Sequence, residues 1–326
     1  MLNYILKRLI LLIPLLLGIT LMSFFVIHLA PGKPSDVSGE LNPKVSLEVR
    51  QRLAKLYELD KPIHIQYAHW LKRLLKFDFG KSFSDGRPVL EKFLETIPIT
   101  LSINLSSMIL ILAAGIPLGV ITALKKDSLL DKTSTVFVFL TFALPTFWLA
   151  LILMDLIGVK LRWLPISGIT SLDFEYFPFY KKIIDLARHL ILPIFVSSIG
   201  SLAGISRYMR QNMLEVLDKK YILAARARAI PEKLILYKHG FKNAILPIIT
   251  ILGLSVPGLI GGSVIFESIF AIPGTGRLFF TAVMSRDYPV IMAMLVFSAI
   301  LTLLGNLLAD IGYALADPRI RYSKHD

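Results

Sequence analysis

Glycine, lysine and serine at residues 80–82, in the stretch FGKSF, end the way a phosphate-binding loop ends. In such a loop backbone amides cradle the phosphates, the lysine reaches the outer ones and the hydroxyl serves a magnesium ion. That chemistry needs a glycine five residues before Gly80, and residue 75 is leucine. The stretch reads as loop punctuation. No His-Glu-x-x-His helix and no Gly-x-Ser-x-Gly turn occurs, and the six histidines are scattered. The absence of cysteine removes disulfides and thiolate metal sites. No catalytic residue, no metal site and no cofactor of the chain's own is expected.

The elements that would position any chemistry are apolar. Hydrophobic residues make up 55% of the 326, and the mean hydropathy is +0.66. Six uncharged stretches match the roughly 20 apolar residues that a helix needs to cross a bilayer. They are 9–30, 97–124, 133–154, 190–206, 243–266 and 288–309. The expected fold class is an all-α polytopic membrane protein with six transmembrane helices. Lys7 and Arg8 precede the first stretch, but its apolar part is too long for a signal peptide and no cleavage-like site follows, so it reads as a retained span.

Within these spans the ionisable groups are few. Asp155, Glu267 and Asp310 all fall at span ends, where a carboxylate can reach water. A proton-driven carrier places such a group mid-span, where it is costly and functional, so a stand-alone secondary carrier is disfavoured. The spans carry Pro14, Pro117, Pro145, Pro193, Pro247 and Pro257, which membrane helices tolerate when neighbours satisfy the freed carbonyls. Gly258, Gly261 and Gly262 thin one face of the fifth span, which favours close helix packing over a bend. Asn104, Trp148 and Ser255 could line a path, or could equally be helix-contact residues.

The net charge of +13 follows from 36 basic and 23 acidic residues, and its placement matters more than its size. Lys7 and Arg8, Lys125, Lys126 and Lys132, the cluster from Arg207 to Lys242, and Arg319, Arg321 and Lys324 fall on one side of a six-span zigzag. Basic residues in short loops collect in the cytoplasm, so both termini are expected there, with 31–96 and 157–188 outside. Between Pro31 and Thr96 helical spacing recurs twice, at Val49, Leu53, Leu56 and at Tyr67, Leu71, Leu74, Leu75. This predicts two amphipathic helices over 47–77, in a small extracytoplasmic subdomain that is either a packed spacer or a docking surface.

The most distinctive stretch is KYILAARARAIPEKLILYKHGFKNAILPI at 220–248. Ala224, Ala225, Ala227 and Ala229 form helix well and leave a smooth side that a partner could approach. Pro231 suits the first turn of a second helix, and Glu232 suits its positive end. The break is expected at Ile230 and Pro231 with Ala229 in right-handed space, because alanine propagates a helix and the residue before proline favours an extended conformation. A basic amphipathic helix lying on anionic lipid is the other physical reading.

AARARAIPEKLILYKHGFKNAILPII resembles the cytoplasmic signature of ABC importer membrane subunits, in the form of the dipeptide, oligopeptide and nickel transport family. The match runs through Ala225, Arg226, Ala227 and Arg228 and again through Asn243, Ala244, Leu246 and Pro247. It departs at Ala229, where that family usually has glycine. The opening MLNYILKRLILLIPLLLGITLMSFFVIHLAPG, the segment ELDKPIHIQYAHWLKRLLKFDFGKSF, the loop FAIPGTGRLFFTAVMSRDYPVI and the ending DPRIRY are similar to the same family in the same order. The likeness is to the subunit type with a long first external loop.

This resemblance implies an organisation. Residues 1–30 form a first span, 31–96 the external subdomain, 97–316 a five-span permease core with its coupling loop at 207–243, and 317–326 a cytoplasmic tail. It implies that residues 224–232 (Ala224, Ala225, Arg226, Ala227, Arg228, Ala229, Ile230, Pro231, Glu232) dock on a cytoplasmic ATPase, so that ATP is bound by partner subunits. It also implies a second permease subunit, two ATP-binding subunits and an extracytoplasmic binding protein, in the cytoplasmic membrane of a bacterium or archaeon. The cargo expected is a di- or oligopeptide, with a nickel chelate or oligosaccharide as the alternative.

Overall fold

The computed structural model describes residues 2–29, 61–255 and 258–316. Its helices are α1 (Leu2–Leu29), α2 (Ile63–Leu74), α3 (Val89–Leu124), α4 (Leu129–Ala143) and α5 (Thr146–Leu153), the last running on into a π-turn at Met154–Lys160. Then come α6 (Phe179–Leu217), α7 (Lys220–Ala227) and α8 (Glu232–Leu234), which continues as a π-turn at Ile235–Phe241. The remainder are α9 (Lys242–Ala244), α10 (Leu246–Ser255), α11 (Gly258–Gly261), α12 (Val264–Ile269), α13 (Thr275–Met284) and α14 (Tyr288–Ala316). Among the described residues the only β pairing is an isolated bridge between Lys81 and Pro88.

Four of these helices are long and apolar enough to cross a membrane, and the number rises to six if each of two bent pairs is one span. The third span departs from the expected straight run 133–154. Leu144 is extended (φ −94°, ψ 126°) ahead of Pro145, and α4 meets the following helix at 100°. The fifth span is likewise bent between α10 and the helices that follow Gly258. Pro14, Pro98, Pro117 and Pro193, by contrast, lie inside unbroken helices. The second and fourth expected spans are parts of longer helices of 36 and 39 residues.

The centre of the molecule is the pairing of α3 with α6. It depends on small residues: a Cβ on Gly119 would collide with the backbone carbonyl of Ser206 and with Met209. Ser107 and Ser197 share a hydrogen bond of 2.6 Å across the same contact. At one end Asp131 of α4 receives both Nε and Nη2 of Arg210, each at 2.7 Å. Such a bidentate pair fixes orientation as well as distance. Gly258 and Gly261, expected to serve close packing, have nothing within 4 Å of where a Cβ would lie. Gly262, the third of these glycines, does pack closely: a Cβ there would strike the Thr275 hydroxyl and the Glu267 carboxylate.

At the other end α1, α2, α3 and α14 share an aromatic core. Phe93 stacks on Phe297 at 3.9 Å, and Phe24 meets Tyr67 edge-on at 5.3 Å. Tyr67, Trp70 and Leu74 of α2 thus pack inward against α1, while Leu75 is exposed. The first of the two expected external helices falls outside the described residues. The turn that follows α2 is held by Asp287. This carboxylate is buried and accepts hydrogen bonds from the hydroxyl of Ser82, from Phe83 N (3.0 Å) and from Ser84 N (3.3 Å). FGKSF is a structural joint, as its missing glycine implied.

Candidate functional site

The alanine-rich segment folds as a two-helix unit on its own small core. Ile222 and Ile235 are fully buried, Ala225 is 8% exposed, and Ile230 packs against them. Ala225 therefore faces the unit's interior, not the open side expected for it. The end of α7 is a Schellman motif. Ala229 N donates to Arg226 O (2.9 Å) and Ile230 N to Ala225 O (3.3 Å), with Ala229 at φ 55°. The expectation of a right-handed Ala229 is wrong. The last carbonyls of a helix need donors, and only a left-handed residue turns the following amides back onto them. That demand overrides alanine's own preference, at a cost of about 1–2 kcal/mol. The family's usual glycine would occupy this position without strain.

Pro231 is one position earlier than expected. It is the N-cap (φ −56°, ψ 133°), and its carbonyl accepts from Leu234 N at 2.8 Å and Ile235 N at 3.1 Å. Glu232 then opens the second helix and reaches back to Arg226 at 2.8 Å. The Glu232 carboxylate holds the Arg226 guanidinium above its ordinary pKa. Both side chains are about half exposed, so the pair orients the two helices more than it stabilises them. Within the unit Asn243 donates to His239 O (2.7 Å) and to the Tyr221 hydroxyl (3.3 Å), and the unit is seated on the bundle by Asn212 of α6, which donates to Ala244 O at 3.3 Å. Ala244 is buried against Met209 and Met213 of α6.

Outward the unit presents apolar side chains among basic ones. Leu223, Leu234 and Tyr237 are 56%, 46% and 78% exposed, and Ala224, Ala227 and Arg228 are exposed beside them. Sequence reasoning found the segment but assigned its faces by composition. The inward positions 222, 225 and 235 could have been read from apolar spacing across the break.

The three path candidates are not brought into one cluster. Asn104 donates to Leu259 O at 2.8 Å and more weakly to Gly258 O, so it braces the break in span five. Ser255 turns its hydroxyl back onto Leu252 O at 2.8 Å. Trp148 is exposed on α5.

A residue that sequence reasoning dismissed occupies the membrane-level joint. Glu267 does not reach water: it is 3% exposed. Its Oε1 accepts from Thr100 of α3 at 2.9 Å, and its Oε2 from Arg277 N at 3.0 Å. Thr100 in turn accepts from Thr275 N at 2.9 Å, and Arg277 Nη1 donates to Ala271 O at 2.6 Å. A Cβ on Gly274 would strike the Glu267 carboxylate, so the loop approaches it through bare backbone. The run FAIPGTGR is thereby tied to span two. Its signal in sequence was a carboxylate seven residues ahead of a Gly-Thr-Gly turn. Asp310's side chain lies outside the described residues.

Comparison with known proteins places this architecture. Residues 115–322 match the binding-protein-dependent transport system inner membrane component family, and residues 1–104 match the N-terminal region of such membrane components. The oligopeptide transport system permease protein AppB of Bacillus subtilis (strain 168) is 45% identical over 320 residues, covering 98% of this chain and 99% of that protein. The di/tripeptide transport system permease protein DppB of Pseudomonas aeruginosa (strain UCBPP-PA14) is 37% identical, covering 99% of this chain and all of the relative. The dipeptide transport system permease protein DppB of Escherichia coli (strain K12) is 36% identical with the same coverage. The chain is a multi-pass membrane protein and belongs to the binding-protein-dependent transport system inner membrane component family, as a permease subunit of an ABC transporter.

Proposed function

We propose that this permease admits di- or oligopeptides delivered by an extracytoplasmic binding protein, as one of two different membrane subunits driven by two cytoplasmic ATPases. ATP is bound by those partner subunits, and this chain has no enzymatic step of its own. Both termini and the two-helix unit at 220–244 lie in the cytoplasm, in keeping with the basic residues of the short loops. Residues 224–232 carry the ATPase contact, and Asn104, Trp148 and Ser255 lie near the path, Asn104 through its hold on the broken span.

The observation that carries this reading is the set of exposed apolar side chains on the two-helix unit. Leu223, Ala224, Ala227, Leu234 and Tyr237 stand on a unit that already has its own core. Nothing within the fold requires those side chains to be apolar. A self-supported unit of this kind suits a groove on another protein, through which movement is passed to the spans. The peptide cargo is supported by the relatives' names.

The test is uptake of a labelled oligopeptide into vesicles that hold this chain with its second permease, ATPases and binding protein. Uptake should require ATP and every component. Transport by this chain alone, or nickel-chelate uptake with no peptide uptake, would overturn the assignment. Orientation is checked separately by labelling Ser84→Cys, since Ser82 is fully buried. Labelling only from the cytoplasmic side would reverse the topology.

A further inference from the structure

The loop between α5 and α6 folds back over the π-turn and leaves an open cavity of about 520 Å³. Ile166 lies so close to Gly158 that any side chain there would collide, so the glycine is what lets the loop settle and form the cavity wall. Arg162, Arg188, Ser171 and Asp185 supply the polar side of the cavity, and Val159 and Ile166 belong to its apolar side.

The polar side is arranged for an anion. Arg162 is held at φ 54°, between hydrogen bonds from Leu161 N to Leu156 O (3.0 Å) and from Trp163 N to Ile157 O (2.9 Å). A non-glycine residue is uncommon there. Arg188 is fixed by donation from Nη2 to Trp163 O at 2.9 Å. The one carboxylate in the wall, Asp185, is already engaged: it accepts from Ser171 N (2.8 Å) and Ser171 Oγ (2.5 Å), and His189 Nδ1 lies 3.7 Å away. On the π-turn itself Asp155 is paired with Lys160 at 2.7 Å. Two arginines thus belong to the cavity lining, against one carboxylate that is already occupied.

The surroundings say which anion. Arg188 belongs to a stripe of α6 at helical spacing with Tyr180, Ile184, Ile191 and Phe195, which are 67%, 53%, 50% and 45% exposed. In the chain by itself, an exposed apolar stripe on a membrane helix is open to hydrocarbon. Trp163 and Phe179, 65% and 79% exposed, stand at the same end, and Trp and Tyr rings gather at headgroup level. An arginine within such a stripe carries its charge to that interface. We propose that the cavity holds the phosphate of an anionic phospholipid between Arg162 and Arg188, with the acyl chains along Ile184, Ile191 and Phe195. The orientation given above places this lipid in the outer leaflet, but the site itself does not depend on that orientation.

Native mass spectrometry of the full chain in detergent, with phosphatidylglycerol or phosphatidylcholine added, tests the site. Phosphatidylglycerol should be retained preferentially. Arg162→Gln and Arg188→Gln should each weaken retention about fivefold, as expected for one basic residue at an anionic lipid surface. Lys181→Gln, whose ammonium lies over the Phe177 ring, should leave retention unchanged. Equal retention of the two lipids, undiminished binding in the double variant, or displacement of the lipid by a dipeptide would each overturn the proposal. Should the double variant fail to fold, photoactivatable phosphatidylglycerol on the unaltered chain decides the matter. Cross-links at 158–166 or 184–195 support the site, and cross-links confined to other segments refute it.

Discussion

The joint around Glu267 and the two-helix unit around Ala225 both connect helices at a break, but by opposite means. Glu267 is sealed from solvent and bonded to partners 10 and 167 residues away in sequence. The two-helix unit closes on itself within about twenty residues through a few apolar side chains and one exposed ion pair. In a medium that cannot solvate them, buried polar groups must all be matched, so the first joint has one acceptable geometry. The second rests on short-range contacts. The spans thus bend at a fixed joint, while a self-contained unit connects α6 to α10.

The sharpest way to break this contrast is Glu267→Ala. It strands the Thr100 hydroxyl and the Arg277 amide, at about 1–3 kcal/mol for each unsatisfied donor. The thermal midpoint of the whole chain in detergent should fall markedly, with Glu267→Gln falling less because one acceptor remains. If the alanine variant melts like the parent, the joint is not the fixed element described. Next in size is Ala225→Leu, which overfills the unit's core at about 1–3 kcal/mol. Amide hydrogen exchange should accelerate over 220–241 and ATP-driven uptake should fail, while the global midpoint barely moves.

A smaller effect, of opposite sign, is expected from Ala229→Gly. Relief of the left-handed strain, about 1–2 kcal/mol, is partly offset by glycine's larger unfolded-state entropy, about 0.4–1 kcal/mol. Exchange at Ile230 N should slow slightly, and Ala229→Val should speed it. The smallest effect concerns Asp85, beside the Ser82 turn. Burial works to raise its pKa, but the Lys92 ammonium, the Arg87 amide and the Ser82 hydroxyl outweigh it and hold the carboxyl below its usual range. A depressed pKa means that the stabilisation is present above the unfolded value, near 3.9, and is lost as pH falls through the folded one. Because the carboxylate is 41% exposed, this amounts to a few tenths of a kcal/mol. Midpoints of the parent and of Asp85→Asn should converge below about pH 4.

The spans were legible because twenty apolar residues in a row have few other uses. Their breaks were not. Pro145 carries no local mark that separates it from Pro117 and Pro193, which continue their helices, since what differs is the tertiary support around each. The two-helix unit was legible because its signals are local, a run of alanines and then a proline. The handedness of Ala229 was not legible, because helix propensity carries no information about the orphan carbonyls of the helix end. The same cap recurs at Phe77, Ala271 and Arg286, each left-handed and none a glycine. Glu267 was set aside as a water-facing end group because its partner Thr100 is far away in sequence.

The bond between Ser82 and Asp287 joins residues 205 positions apart, and this bears on how the chain is made. At a synthesis rate of about 5–20 residues per second, roughly 10–40 seconds separate the emergence of the serine from that of the aspartate. Throughout that interval Phe83 and Ser84 have no carboxylate to bind, and four spans must be inserted meanwhile. This turn is therefore among the last parts of the molecule to take its final shape. A chain that stops short of residue 287 would carry its helices into the membrane and still leave this turn open to proteases and chaperones, a mark by which a cell could tell an unfinished permease from a finished one.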